Sequence, residues 1–251
     1  MLGRVARTIP ADRFPAVIAA SARVFITHGY RRTQMQDVAN ALALAKGTLY
    51  GYAQGKAALF AAAVRYGDAH VPVPPPTDLP VAAPDDGEIA ALVSQRLTSE
   101  VADMRLTQAL QQALPPNATA ADGRAELAGI VTDLYGRLAR HRIALKLVDR
   151  CATELPDLAR VWFGTGRDAQ VDAVQTYLLS REGTGQLRLP GPAPVVARTI
   201  VELCALWAVH RHFDPSPGPW SITRPGVTDD NTVAATLAEI VVRATCAADE
   251  D

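Results

Sequence analysis

Apolar residues recur three and four apart from the first ordered-looking stretch onward. In DRFPAVIAASARVFITHGY, Phe14, Val17, Ile18, Ala22, Phe25 and Ile26 fall on one face of a helix. Pro15 sits near its start, where a missing N–H costs little, and Gly29 supplies a stop. RRTQMQDVANAL follows, with Thr33 and Gln36 spaced as a capping box and Met35, Val38, Ala39 and Leu42 on one side of a short helix. ALAKGTLYGY reads as a turn and a third short helix. KAALFAAAVRYGDAH reads as a fourth, turning Leu59, Phe60 and Val64 inward. Residues 71–84, VPVPPPTDLPVAAP, hold six prolines and predict a linker or an extended loop.

Beyond that segment the helical period returns. DGEIAALVSQRLTSEVADMRLTQALQQAL predicts one long amphipathic helix stopped by Pro115 and Pro116. AELAGIVTDLYGRLARH and RIALKLVDRCATEL predict two more. Pro156 opens a further one, with Gly164 and Gly166 inside it as points of kinking. The last two helices cover about 193–213 and 230–247, separated by a second Pro/Gly-rich loop. No stretch reads as a strand, and no internal repeat appears. The fold class is all-α, with an N-terminal three-helix helix-turn-helix unit and a larger C-terminal helical unit. The division predicted is 10–70, a proline-rich linker at 71–84, and 85–251.

Charge changes the picture only through its distribution. The net charge is −1, but residues 1–56 carry eight basic and two acidic residues, a balance of +6, while the remainder carries seventeen basic against twenty-four acidic, a balance of −7. A basic head on an acidic body suits a nucleic-acid partner for the head. Cys151, Cys204 and Cys246 are odd in number and widely spaced, which suggests neither a disulfide framework nor a zinc site. No run of eighteen apolar residues and no secretory leader is read, so the expectation is a cytoplasmic protein without a membrane span. Lys46, Lys56 and Lys146 are the only lysines among 25 basic residues, and with abundant alanine and proline this points to a GC-rich bacterial source. His210 and His212 lie two apart and diverge on a helix, so no metal and no cofactor is predicted.

The run KGTLYGYAQGK, Lys46 to Lys56, invites comparison with a phosphate loop. A phosphate cradle needs a preceding strand and the order Gly-x-x-x-x-Gly-Lys-Ser/Thr, and both are missing. As a recognition helix the run makes sense. Gly47 permits close backbone approach, Lys46 adds charge, and the hydroxyls of Thr48, Tyr50 and Tyr52 suit phosphates or base edges. Leu49 should face a small core. Thr33 has two compatible readings, as helix cap and as phosphate contact.

AASARVFITHGYRRTQMQDVANAL together with KGTLYGYAQGKAALF resembles the DNA-binding domain of the TetR (tetracycline repressor-like) family, over about Arg13 to Leu59. The resemblance implies DNA contacts from Thr33, Gln34, Gln36, Ala45, Lys46, Gly47, Thr48, Tyr50, Tyr52 and Lys56. It also implies a double-stranded operator, a homodimer through the last two long helices, an unknown small-molecule effector bound by the body, and repression relieved by that effector. Five positions depart from the family pattern. Ala43 stands where the turn usually has glycine, and Ala45 where the recognition helix usually has a serine or threonine cap. Ala53 stands where a phenylalanine usually fills the small core, and Gly55–Lys56–Ala57 replaces Ser-Lys-Glu. An effector pocket is expected among helices from about 88 to 180, with Met104, Tyr135, Trp162, Phe163 and Tyr177 as lining candidates against the plainer reading of core residues. Asp149, Arg150 and Glu154 either pair with one another or greet a polar ligand. No hydrolase, metalloprotease or dinucleotide fingerprint appears, so an enzyme is not expected. The rival readings are an enzyme in the body and a helical dimer whose head binds a protein instead of DNA.

Overall fold

The computed structural model describes residues 13–112, 115, 117–213 and 229–245. Cys246, Pro116, most of the second Pro/Gly-rich loop and the end predicted for the last helix lie outside the described residues. Helices account for nearly all regular structure, and among the described residues the only β-type pairing is a single bridge between Ala53 and Val81.

Two compact units divide the chain: residues 1–92 with 143–159, and residues 93–142 with 160–251. The first unit contains α1 (Phe14–His28), α2 (Met35–Ala41), α3 (Lys46–Leu49) and α4 (Lys56–Tyr66). Phe14, Val17, Phe25, Val38, Leu49, Leu59 and Phe60 close its core. Phe25, Tyr30 and Phe60 interlock, with ring centroids 5.1 to 6.0 Å apart. Residues 71–84 continue past α4 in extended conformation, with one 3₁₀ turn at Pro76–Asp78. Residues 143–159 also belong here. They comprise most of α8 (Arg142–Cys151), the 3₁₀ turn Ala152–Glu154 and α9 (Pro156–Ala159). The Asp68 carboxylate accepts the N–H groups of Ile143 and Ala144 at 2.8 and 3.1 Å, satisfying donors that a helix start leaves open.

The second unit is built on α7 (Ala120–Arg140), against which α12 (Asp230–Ala244) and α11 (Ala193–Ala205) pack, with α10 (Ala169–Gly183) on α11. The long helix expected over 86–114 is two helices, α5 (Glu88–Ala102) and α6 (Arg105–Gln111). The break at Asp103–Met104 has a physical cause outside the local sequence. Arg137 of α7 donates to the carbonyls of Glu100 and Asp103 and to both their carboxylates, and Asp133 accepts the Arg105 N–H at 3.0 Å. The guanidinium thus satisfies carbonyls that the end of α5 leaves open. Thr119 and Asp122 form the capping box that starts α7 five residues before the predicted segment. Where Gly164 and Gly166 were expected to kink a helix, residues Arg160–Asp168 widen into a π-helix leading to α10. A second π stretch, Leu206–His210, extends α11. The run Ala193–Phe213 is long and apolar enough to cross a membrane, at mean hydropathy 1.3, yet its Arg198 and Glu202 pair with one another and with Asp168 and Arg167.

Candidate nucleic-acid interface

The turn between α2 and α3 sets the head's geometry. Leu44 N–H reaches the Ala39 carbonyl at 2.9 Å and Ala43 N–H reaches the Asn40 carbonyl at 3.1 Å. That pair of bonds is a Schellman ending for α2, which needs its C′ residue in the left-handed region. The C′ residue is Ala43, at φ 52°. The alanine noted at this position therefore adopts the glycine conformation, at a cost of about 1–2 kcal/mol. Ala45 is extended and precedes α3 with no side-chain cap.

Of the residues predicted to meet DNA, Gln34, Gln36, Ala45, Lys46, Gly47 and Tyr50 are exposed, and Thr48 is half-buried. Tyr50 presents 46% of its surface, although it is a large aromatic residue. A side chain added at Gly47 would meet only open space, so nothing within the head requires glycine there. Gln36 Nε2 donates to Asn40 Oδ1 at 2.8 Å, which orients its amide along α2.

Two predicted contacts are corrected, and a third residue, Lys56, carries a structural role of its own. Tyr52 is 0% exposed and lies parallel to the Phe14 ring at 6.2 Å, so it belongs to the core rather than the reading surface. Thr33 is buried and its hydroxyl donates to the Gly29 carbonyl at 2.7 Å. The cap of α2 is one residue later, at Gln34, whose N–H is accepted by Asp37 at 2.8 Å. Lys56 donates to the carbonyls of Tyr30 and Arg31 at 3.1 and 3.3 Å and sits 4.7 Å over the Tyr30 ring. It clamps the α1–α2 loop onto the start of α4. Arg31 and Arg32, adjacent in that loop and exposed, add two cations beside the residues the resemblance implies. Their signal was the local basic excess, which a motif reading discounts.

The same loop is held from the other side. The Glu154 carboxylate accepts the Arg31 N–H and pairs with Arg150 at 3.5 Å. Gly29 lies under both, at φ 81° and ψ 173°, a region essentially reserved for glycine. Arg150 is thus a partner of Glu154 in the first unit, and the other ligand candidates belong to the second. Tyr135 is buried and donates to Asp230 at 2.8 Å, and Arg142 donates to the other oxygen of that carboxylate at 2.7 Å. Tyr177 is buried and donates to Glu126 at 2.9 Å beneath the Arg181 guanidinium. Met104 is buried at the α5–α6 break, and Trp162 and Phe163 are half-buried on the π stretch.

Burial pushes the thiols of Cys151 and Cys204 up to about 12, which leaves them protonated and unreactive near neutrality. No group of three metal-ligating side chains gathers among the described residues.

Residues 17–63 match the bacterial regulatory proteins of the tetR family. A comparison with curated proteins gives no match. Among solved structures, the ketosteroid transcriptional regulator KstR2 of Mycobacterium tuberculosis is similar at a TM-score of 0.54 and 16% identity, over 98% of this chain and 100% of that one. A regulatory protein of the tetR family from Rhodococcus RHA1 gives 0.48 and 18%, over 94% and 99%. The KstR2 likeness bears on fold and extends it through the body.

Proposed function

We propose that this chain, whose head matches the DNA-binding region of the tetR family, is a TetR-family transcriptional regulator, a ligand-responsive repressor that binds a pseudo-palindromic operator as a homodimer in the cytoplasm. The observation that carries the reading is the surface of α2 and α3. Gln34, Gln36, Lys46 and Tyr50 stand exposed on a closed aromatic core, beside the exposed Arg31 and Arg32. Amide, phenol and cationic groups on a helix-turn-helix are the groups that contact base edges and phosphates.

The dimer is supported by what α11 and α12 leave uncovered. Val195 is 60% exposed and Ile240 is 51% exposed, with Leu206 also exposed, while Ile200, Val233, Leu237 and Val241 on the same helices are buried. An open groove on α11 is lined by Val195, Leu203 and Leu206. Two such faces brought together by a two-fold axis would pair two heads with two half-sites. An effector held by the body releases DNA to the extent that it binds one arrangement of the dimer better than the other. The proposed role is regulatory rather than enzymatic.

The test is fluorescence anisotropy of the full chain with duplexes from its own upstream intergenic DNA, at two salt concentrations. A specific duplex should bind, weaken steeply with salt, and lose at least about tenfold on Tyr50→Ala or Lys46→Ala. Binding of every duplex at the same salt-dependent background level would remove the operator reading and favour a head that engages a protein.

A further inference from the structure

Residues 71–84 are more than a tether between α4 and α5. The recognition helix α3 is a single turn, and the chain leaves it through Tyr52 and Ala53, both without any exposed surface. Tyr52 and Ala53 N–H groups both turn back to the Leu49 carbonyl, at 2.9 and 3.1 Å. The Tyr52 carbonyl has no helix to continue into, and a buried carbonyl needs a donor. Val81 provides it: its N–H donates to the Tyr52 carbonyl at 2.9 Å, and its own carbonyl accepts the Gln54 N–H at 3.0 Å. These two bonds bracket Ala53 and form the bridge between Ala53 and Val81.

We propose that residues 71–84 are a brace for the DNA-reading surface, with Val81 as the positioning residue that fixes the exit of the recognition helix and hence the pose of Tyr50. The inference rests on the reading of the head as DNA-binding. Six prolines suit the role, because each fixes its own φ and restricts the residue before it, so the segment reaches Val81 with little freedom to lose. Its charge argues against a direct phosphate contact: Asp78 is its one ionisable residue. The segment therefore acts through α3 and not on the duplex. Ala53 fits the same arrangement, since a small buried residue lets the second strand of the bridge come close.

The experiment uses the full chain with residues 71–84 replaced by a Gly/Ser segment of equal length, alongside the more local Val81→Pro, which removes the N–H given to Tyr52 and fixes φ at that position. Amide hydrogen exchange at Gln54 and Ala53, far-UV ellipticity and duplex affinity are read together. The brace requires faster exchange at Gln54 in the Gly/Ser chain, unchanged helical content, and duplex binding weakened about tenfold with the body's fold retained. Ala53→Phe added to the Gly/Ser chain should recover part of the affinity by refilling the uncovered core, whereas in the native chain it should lower stability. Wild-type exchange at Gln54 in the Gly/Ser chain, or duplex affinity within twofold of wild type, would overturn the brace. If the wild-type chain binds no duplex, the operator reading falls while exchange at Gln54 still decides whether the segment holds α3.

Discussion

The head and the body spend their polar groups differently. In the head, an aromatic core is sealed and the amides, phenol and cations of α2, α3 and the preceding loop stay on the surface. In the body, arginine and tyrosine side chains are spent on carboxylates of neighbouring helices. Arg181, 5% exposed, grips both oxygens of Glu126 and the Ala109 carbonyl, while Glu126 also takes the Tyr177 hydroxyl. Arg137 gathers Glu100, Asp103 and Asp133, and Arg142 shares Asp230 with Tyr135. The hydroxyls of Tyr135 and Tyr177 are therefore already committed. A ligand drawing on them must displace a carboxylate or rely on apolar contact, whereas the head's polar groups need no rearrangement to meet a partner.

The largest test of that contrast is Arg181→Met. Removing one member of a buried, hydrogen-bonded pair strands Glu126 and should cost about 3–5 kcal/mol in urea unfolding of the body. A loss below about 1 kcal/mol would mean the network is better solvated than its burial implies.

In the head the corresponding weak point is backbone. Gly29→Ala combines a conformation that L-residues avoid with a collision against Glu154 and Arg150, and should cost about 2–3 kcal/mol. Thermal unfolding of the full chain would show it, together with weakened duplex binding if the α1–α2 loop shifts.

The smallest effect has the opposite sign. Ala43→Gly relieves the left-handed alanine and should stabilise by about 0.5–1 kcal/mol, since the relief exceeds the added freedom of glycine in the unfolded chain. Destabilisation would show that Ala43 makes packing contacts worth more than its strain.

The helix-turn-helix was legible because its information is local. Period, turn and exposure follow from residues within a few positions of one another, and the surface places of Gln34, Gln36, Lys46 and Tyr50 came through. What stayed hidden was tertiary. Nothing near Tyr52 announces that Phe14 will lie against its ring, and nothing near Met104 announces that Arg137 will break the helix there. Glu154 reaches Arg31 across 123 positions, which is why residues 143–159 read as body from sequence and join the head's compact unit in three dimensions. Thr33 is the better cap by residue type, yet Gln34 takes the position. The choice between them was made by the Gly29 carbonyl, which claimed the threonine.

The two lysines of the head offer unequal targets to acylating chemistry. Lys56 has its ammonium turned onto two carbonyls and a ring, while Lys46 stands exposed on the recognition helix. Lys146 is the one further lysine in the sequence, so an amine-directed reagent finds few other side chains. Acetylation at Lys46 would erase a positive charge on the reading surface while leaving the fold's own lysine in place. A dye or surface coupled at Lys46 would sit on the face proposed to meet duplex.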